Sequence, residues 1–211
     1  MNKVIEAVGS AHGQVVHGRR IEKIVAAVAP LLEPGWSVCD VGCGDGRISR
    51  MLGEAVPGLS LRGFEIRPRG EALIPVEAFD GRRLPIEDRS VDAVIMVDVL
   101  HHTDDPLALM TEACRVARKA IVLKDHRTSR PLAGLVLRLM DWVGNRPHGV
   151  VLPYNFWSEE RWRSAWDSLG LRLEAYRTRL DLYPGPARWL FESGLQFVAR
   201  LGVPTAEERD R

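Results

Sequence analysis

Apolar and polar residues follow two different periods along this chain, and the switches between them outline a fold. In Arg19–Leu32, the residues Ile21, Ile24, Val25 and Val28 recur at the spacing of one helix face, and Pro30 followed by Pro34-Gly35 ends the helix. Ser37–Val41 is a short apolar strand that runs straight into Gly42-Cys43-Gly44-Asp45-Gly46. Ile48, Met51 and Leu52 then supply the face of a short helix. Leu59–Ile66 reads as a second strand and Val76–Phe79 as a very short third, with Arg67–Leu73 available for a helix between them. Val91–Val99 is almost continuously apolar, as expected of a strand covered on both faces in a parallel sheet. Asp105-Pro106 has the form of an N-cap followed by proline at the first helical position, with Leu107, Met110, Cys114 and Ala117 behind it. Ala120–Leu123 is another buried strand.

The pattern changes after Asp125. Of the aromatic residues only Trp36, Phe64 and Phe79 precede His126, so the second half carries most of the large flat side chains. Pro131–Val143 is a nearly all-apolar helix, shorter than the roughly 20 residues a bilayer demands. Ser158 caps a helix with Trp162, Trp166 and Leu169 on one face, closed by Gly170. Leu171–Leu182 and Leu195–Leu201, joined through Pro184–Glu192, suit an antiparallel pair at a sheet edge. Strands alternating with helices in this order predict an α/β fold, a doubly wound and mostly parallel seven-stranded sheet with helices on both faces. Residues 1–211 read as a single domain, with 1–35 an N-terminal helical segment and 127–158 an aromatic-rich lid.

Composition narrows the function classes. With 29 Lys and Arg against 28 Asp and Glu, the net charge of +1 argues against a protein held to nucleic acid mainly through phosphates. The apolar share of 45% and charged share of 27% suit a globular, soluble chain. No apolar run is long enough to span a membrane, and MNKVIEAVGSAHG has no long apolar stretch of the secretory kind. Peripheral contact of Pro131–Val143 with a membrane stays open beside contact with substrate or a second subunit. Cys39, Cys43 and Cys114 form no Cys-x-x-Cys pair, which points to a reduced, cytoplasmic protein without a zinc ribbon.

The chemistry concentrates where the first strand meets its turn. A strand, a glycine-rich bend and a helix N-terminus together form a ligand cradle, because glycine permits sharp bends and the helix start offers unpaired N–H groups. The spacing is GxGxG and not the GxGxxG of dinucleotide sites. Asp40 precedes the first glycine by two positions, and Glu65 stands at the end of the second strand, where a carboxylate can accept both hydroxyls of a ribose.

In these residues the chain resembles the class I S-adenosylmethionine-dependent methyltransferases, and within them the small-molecule branch of ubiquinone and natural-product type. Asp40-Val41-Gly42-Cys43-Gly44-Asp45-Gly46 looks like the first motif of that family. Glu65 looks like its ribose-binding acid, and Asp80-Gly81 with Leu84–Asp92 is similar to its adenine-side segment. Val97–Pro106 is similar to its fourth-strand exit. The resemblance is firm over residues 19–125 and looser over 157–201. It implies a Rossmann-like methyltransferase fold and S-adenosyl-L-methionine as cofactor. It also implies that Asp40, Gly42 and Gly44 hold the methionine end and Glu65 the ribose. Ile66 would lie beside the adenine, Asp80 and Gly81 at its amine, and Val97 and Asp98 on the floor near the sulfonium. The usual Pro-Gly-Gly turn before the fifth strand is replaced by Val116-Ala117-Arg118-Lys119-Ala120, far from the cofactor.

Three histidines are candidates for a general base, His102, His101 and His126, since imidazole titrates in the useful range. Lys124-Asp125-His126 exits the fifth strand near the expected ligand, where Asp125 and His126 either orient a substrate or accept a proton, or serve as cap and loop. No metal is expected, because adjacent histidines at a strand exit point in different directions. His17, Arg19 and Arg20 either close over the cofactor or begin the first helix. The aromatic lid suggests an apolar or aromatic small-molecule acceptor. The predicted reaction is in-line methyl transfer, and the alternative is a methyltransferase-like binding protein without catalysis.

Overall fold

The structure is a computed structural model and describes residues 18–68, 70–128, 133–138, 155–182, 194–205 and 208. The N-terminal stretch with His17, most of the lid, parts of the Pro131–Val143 helix and the Pro184–Glu192 connector lie outside the described residues.

Helix α1 (residues 18–28) passes into a 3-10 turn at Ala29–Leu31, where Pro30 lacks the N–H that would continue an α-helix. Strand β1 (Ser37–Val41) leads through the glycine turn into α2 (Arg47–Ala55). Strands β2 (Ser60–Glu65), β3 (Val76–Ala78) and β4 (Val91–Val97) follow. A 3-10 turn at Leu100–His102 precedes α3 (Pro106–Val116), whose first turn is capped by Asp105 Oδ1 accepting from Ala108 N at 3.0 Å. Next come β5 (Ala117–His126), α4 (residues 133–138), α5 (Glu159–Ser168), β6 (Arg172–Arg177) and β7 (Gln196–Gly202).

The strands form one seven-stranded sheet in the order β3-β2-β1-β4-β5-β7-β6. The pairs from β3 to β5 are parallel, while β7 runs antiparallel between β5 and β6. Side chains alternate between two cores, as the period of a strand requires. On one face Ile121 and Leu123 of β5 pack with Met110, Trp162, Trp166 and Phe197. On the other, Ala120 and Val122 pack with Ile24, Val28 and Leu52. Both faces are therefore covered, and the strand order reverses between β1 and β4. The carboxyl ends of strands at such a reversal leave a crevice suited to a ligand.

Several elements differ from the sequence expectation, among them β6, which spans Arg172–Arg177 and not the predicted Leu171–Leu182. Strand β5 extends from Ala117 to His126, well beyond Ala120–Leu123. Pairing with β7 carries it through the polar residues Lys124, Asp125 and His126, and β4 also pairs with Lys124. The predicted Arg67–Leu73 helix is absent from the described residues, which bend there instead. Pro68 and Gly70 interrupt the segment, and Leu73 N donates to Asp45 O at 2.9 Å, which ties it back to the glycine turn.

Candidate cofactor and acceptor site

Strand β1 delivers Asp40 and Gly42 to the crevice. Gly42 has φ +72° and Gly44 φ +58°, the left-handed region that favours glycine. A Cβ on Gly42 would also come within 2.6 Å of Val99 Cγ2, so the turn packs directly on the exit of β4. Asp40 is buried, and its Oδ2 accepts from Ser49 Oγ of α2 at 2.6 Å. Burial pushes the Asp40 carboxyl up to about 7, against the Ser49 hydrogen bond and with help from the negative charge of Glu65.

Strand β2 ends at Glu65, whose carboxylate bridges the mouth of the turn. Its Oε2 accepts from Gly44 N at 3.0 Å and its Oε1 from Ile66 N at 2.9 Å. Ile66 is 56% exposed, an unusual setting for a large apolar residue, and a Cβ on Gly81 would touch its Cδ1 at 3.0 Å. The structure thus brings Asp40, Gly42, Gly44, Glu65, Ile66 and Gly81 to one rim. Asp80 is there too, but its Oδ1 accepts from Arg82 N at 2.8 Å and Arg83 N at 2.7 Å, so it shapes the turn.

A second group gathers at the ends of β4 and β5. Val97 closes β4, and Asp98 follows with φ +57°, which turns its carboxylate toward the neighbouring strand. Asp98 Oδ1 lies 2.5 Å from Lys124 Nζ, and its Oδ2 lies 2.6 Å from Arg20 Nη2 of α1. Burial alone would raise this carboxyl, but Lys124 and then Arg20 hold it well below the carboxylate range. Lys124 is fully buried, and burial lowers its ammonium against the pull of Asp98.

Asp125 projects to the opposite face of β5 from Lys124. Its Oδ2 accepts from Leu100 N at 3.0 Å, and its Oδ1 from His101 Nδ1 at 2.6 Å and His126 N at 2.7 Å. Against the cost of burial, His101 and the other donors keep Asp125 ionised far below the usual range. His126 is held down to about 4, by burial first and by the Lys124 charge second. The His101 ring stacks on Phe156 at 5.3 Å and meets the edge of His126 at 4.7 Å.

Asp98, His101, Asp125 and His126 offer atoms within 4.8 Å of one another. The reasoning that adjacent histidines diverge applies to His102, which lies outside this group, and not to His101. The Lys124 ammonium already supplies a cation to Asp98. Of the predicted bases the structure therefore joins His101 and His126, while half-buried His102 touches the group through ring contact with His101 at 4.0 Å. The partnership of Asp98 with Lys124 and Arg20 was not anticipated. A lysine at the end of an apolar strand was the available signal, since a buried ammonium demands a partner.

Residues 13–176 match the methyltransferase domain family, and the chain belongs to that family. Its fold is that of the class I S-adenosylmethionine-dependent methyltransferases. An S-adenosylmethionine-dependent methyltransferase of Thermotoga maritima superposes with a TM-score of 0.65 at 20% identity, over 97% of this chain and 100% of the other. Magnesium protoporphyrin IX methyltransferase of Synechocystis, solved with bound S-adenosylhomocysteine, gives a TM-score of 0.59 at 19% identity, over 90% and 84% of the two chains. In sequence, 2-methyl-6-phytyl-1,4-hydroquinone methyltransferase of Synechocystis is 30% identical over 146 residues, 64% of this chain and 41% of that protein. A 37.1 kDa transposon protein of Streptomyces fradiae is 38% identical over 96 residues, 40% of this chain and 28% of that protein. The matches thus cover less than half the length of these two relatives.

Proposed function

We propose that this protein transfers a methyl group from S-adenosylmethionine to a small apolar or aromatic acceptor. The observation that carries the reading is the Glu65 carboxylate across the mouth of a left-handed glycine turn at the reversal of strand order. The donor set fits the cofactor. Glu65 would accept from the ribose hydroxyls, Ile66 and Gly81 would flank the adenine with Asp80 nearby, and Asp40, Gly42 and Gly44 would hold the methionine end. When bound, the cofactor supplies an electrophilic methyl on a positively charged sulfur that is also a good leaving group. The protein's part is alignment and exclusion of water, because an in-line displacement depends on geometry. Val97 and Asp98 floor the crevice, and the aromatic residues around Phe156 cover the acceptor.

Calorimetric titration with S-adenosylhomocysteine, beside NADH as control, tests the reading. Specific binding of the first ligand, weakened about tenfold or more by Glu65→Ala, is the expected result, because a charged group loses two hydrogen bonds. Equal binding by wild type and variant removes Glu65 from the site. Preference for NADH refutes the proposal.

A further inference from the structure

We propose that Gln196, with His126 opposite it, binds an uncharged group of the methyl acceptor that both donates and accepts a hydrogen bond. This rests on the methyl-transfer reading above and adds to it a binding residue and the polarity of the acceptor's buried end.

Gln196 opens β7 and is 2% exposed, yet among the described residues neither its Oε1 nor its Nε2 meets a hydrogen-bond partner. A primary amide carries two donors and an acceptor, and burying them unmade costs folding free energy. An apolar side chain of the same length would fill this place without that cost. The amide therefore calls for a partner that arrives after folding.

His126 Nδ1 is a second atom of this kind. Strand register sets His126 directly against Gln196, so both side chains leave the same face of the sheet, with Cβ atoms roughly 4.5–5.5 Å apart. On that face Val122 and Val198 pack against Ile24 of α1, and Lys124 and then His126 follow Val122 toward the crevice. His126 is buried, and its Nδ1 stands 3.6 Å from Asp98 Oδ1 and 3.7 Å from Asp125 Oδ1, beyond hydrogen-bond length. Asp98 floors the crevice in the reading above, so Gln196 and His126 line its side.

The surrounding charges select an uncharged ligand group. Asp98 is committed to Lys124 at 2.5 Å and to Arg20 at 2.6 Å, and Asp125 accepts from His101 at 2.6 Å. His126 adds no charge near neutral pH, since burial and then the Lys124 charge hold it down to about 4. A charged group brought here would leave water without gaining a counter-ion of its own. A hydroxyl or a carboxamide meets the amide and the imidazole without that penalty. Phe156 stands edge-on to His126 with ring centroids 5.8 Å apart and offers a wall to an aromatic ring.

The test titrates wild-type protein, with and without S-adenosylhomocysteine, with benzamide, phenol, benzoate and benzylammonium. Side-chain 15N NMR reads the Gln196 amide, assigned by its loss in Gln196→Met, and His126 Nδ1. Benzamide and phenol should move both signals, and the two charged probes should bind about tenfold more weakly or worse. With S-adenosylhomocysteine bound, Overhauser contacts should join the probe ring to the methylenes beside the cofactor sulfur. Gln196→Met should weaken benzamide about tenfold, leave S-adenosylhomocysteine binding unchanged, and keep a urea midpoint at or above the wild-type value. A fall in that midpoint would show that the amide has a structural partner, and overturns the proposal. So does a preference for either charged probe. Movement of neither signal leaves the amide to solvent and overturns it on the wild type alone, whatever the variant does. Binding without contact to the sulfur methylenes separates the site from the methyl acceptor and overturns it too. Failure of the wild type to bind S-adenosylhomocysteine would sink the methyl-transfer reading itself, while the titration without it would still decide whether Gln196 and His126 bind an uncharged group.

Discussion

At Asp40, burial and ligand binding pull one carboxyl in opposite directions. Enclosure raises it to about 7, so near neutral pH it is poised between forms. In the proposed complex the methionine end of the cofactor brings an ammonium to this residue, which favours the carboxylate. Binding should therefore release a proton below pH 7. Affinity for S-adenosylhomocysteine should rise with pH, by up to about tenfold per unit, and flatten above about 7. Calorimetry in two buffers of different ionisation enthalpy reads the proton directly, and Asp40→Asn should abolish both the release and the slope. A wild-type affinity independent of pH between 5 and 7 would separate Asp40 from the cofactor.

Between elements, the glycine turn packs directly on the exit of β4. Gly42→Ala places a Cβ against Val99 Cγ2, where only 2.6 Å is available, and forces alanine to φ +72°. The backbone strain alone is worth about 1–2 kcal/mol. Adding Val99→Ala relieves the clash but leaves the strain. The double variant should then melt above Gly42→Ala and below Val99→Ala, and equal melting of Gly42→Ala and the double variant would show that the side-chain contact carries no weight. This contact also shows what the sequence could and could not say. The glycines, Asp40 and Glu65 were legible because one strand-turn-helix unit and the following strand place them together. The predicted strands and most helices followed from local periodicity. Contacts between distant segments left no such trace. Arg20 meets Asp98 across 78 residues, and His101 meets Asp125 across 24, through strand order and register. Lys124, Asp125 and His126 were placed beyond the end of an apolar run. In the fold they belong to β5, because β7 pairs with all three, β4 pairs with Lys124, and the polar side chains find partners at the crevice.

For the molecule as a whole, two buried groups set opposing pH dependences of stability. Asp40 rises from an ordinary 3.8 to about 7, so between those values the native state keeps a proton that the unfolded chain has lost. Its contribution is fully present below pH 3.8 and declines as pH rises toward 7. His126 falls from 6.5 to about 4, so across that range the unfolded chain holds a proton the native state refuses. Its contribution is complete above pH 6.5 and is lost as pH falls toward 4. Each single-group slope is at most about 1.4 kcal/mol per pH unit, and over the shared range the two cancel in large part. Asp98 and Asp125 are held lower still, so their loss steepens unfolding only in stronger acid. The urea midpoint of the wild type should therefore change little between pH 4.5 and 6.5. Asp40→Asn leaves the His126 slope unopposed, and its midpoint should climb with pH. His126→Gln leaves the Asp40 slope, and its midpoint should fall with pH over the same interval. Parallel profiles for the two variants would contradict this assignment, because opposite signs are the one outcome that two independent, oppositely shifted groups must give.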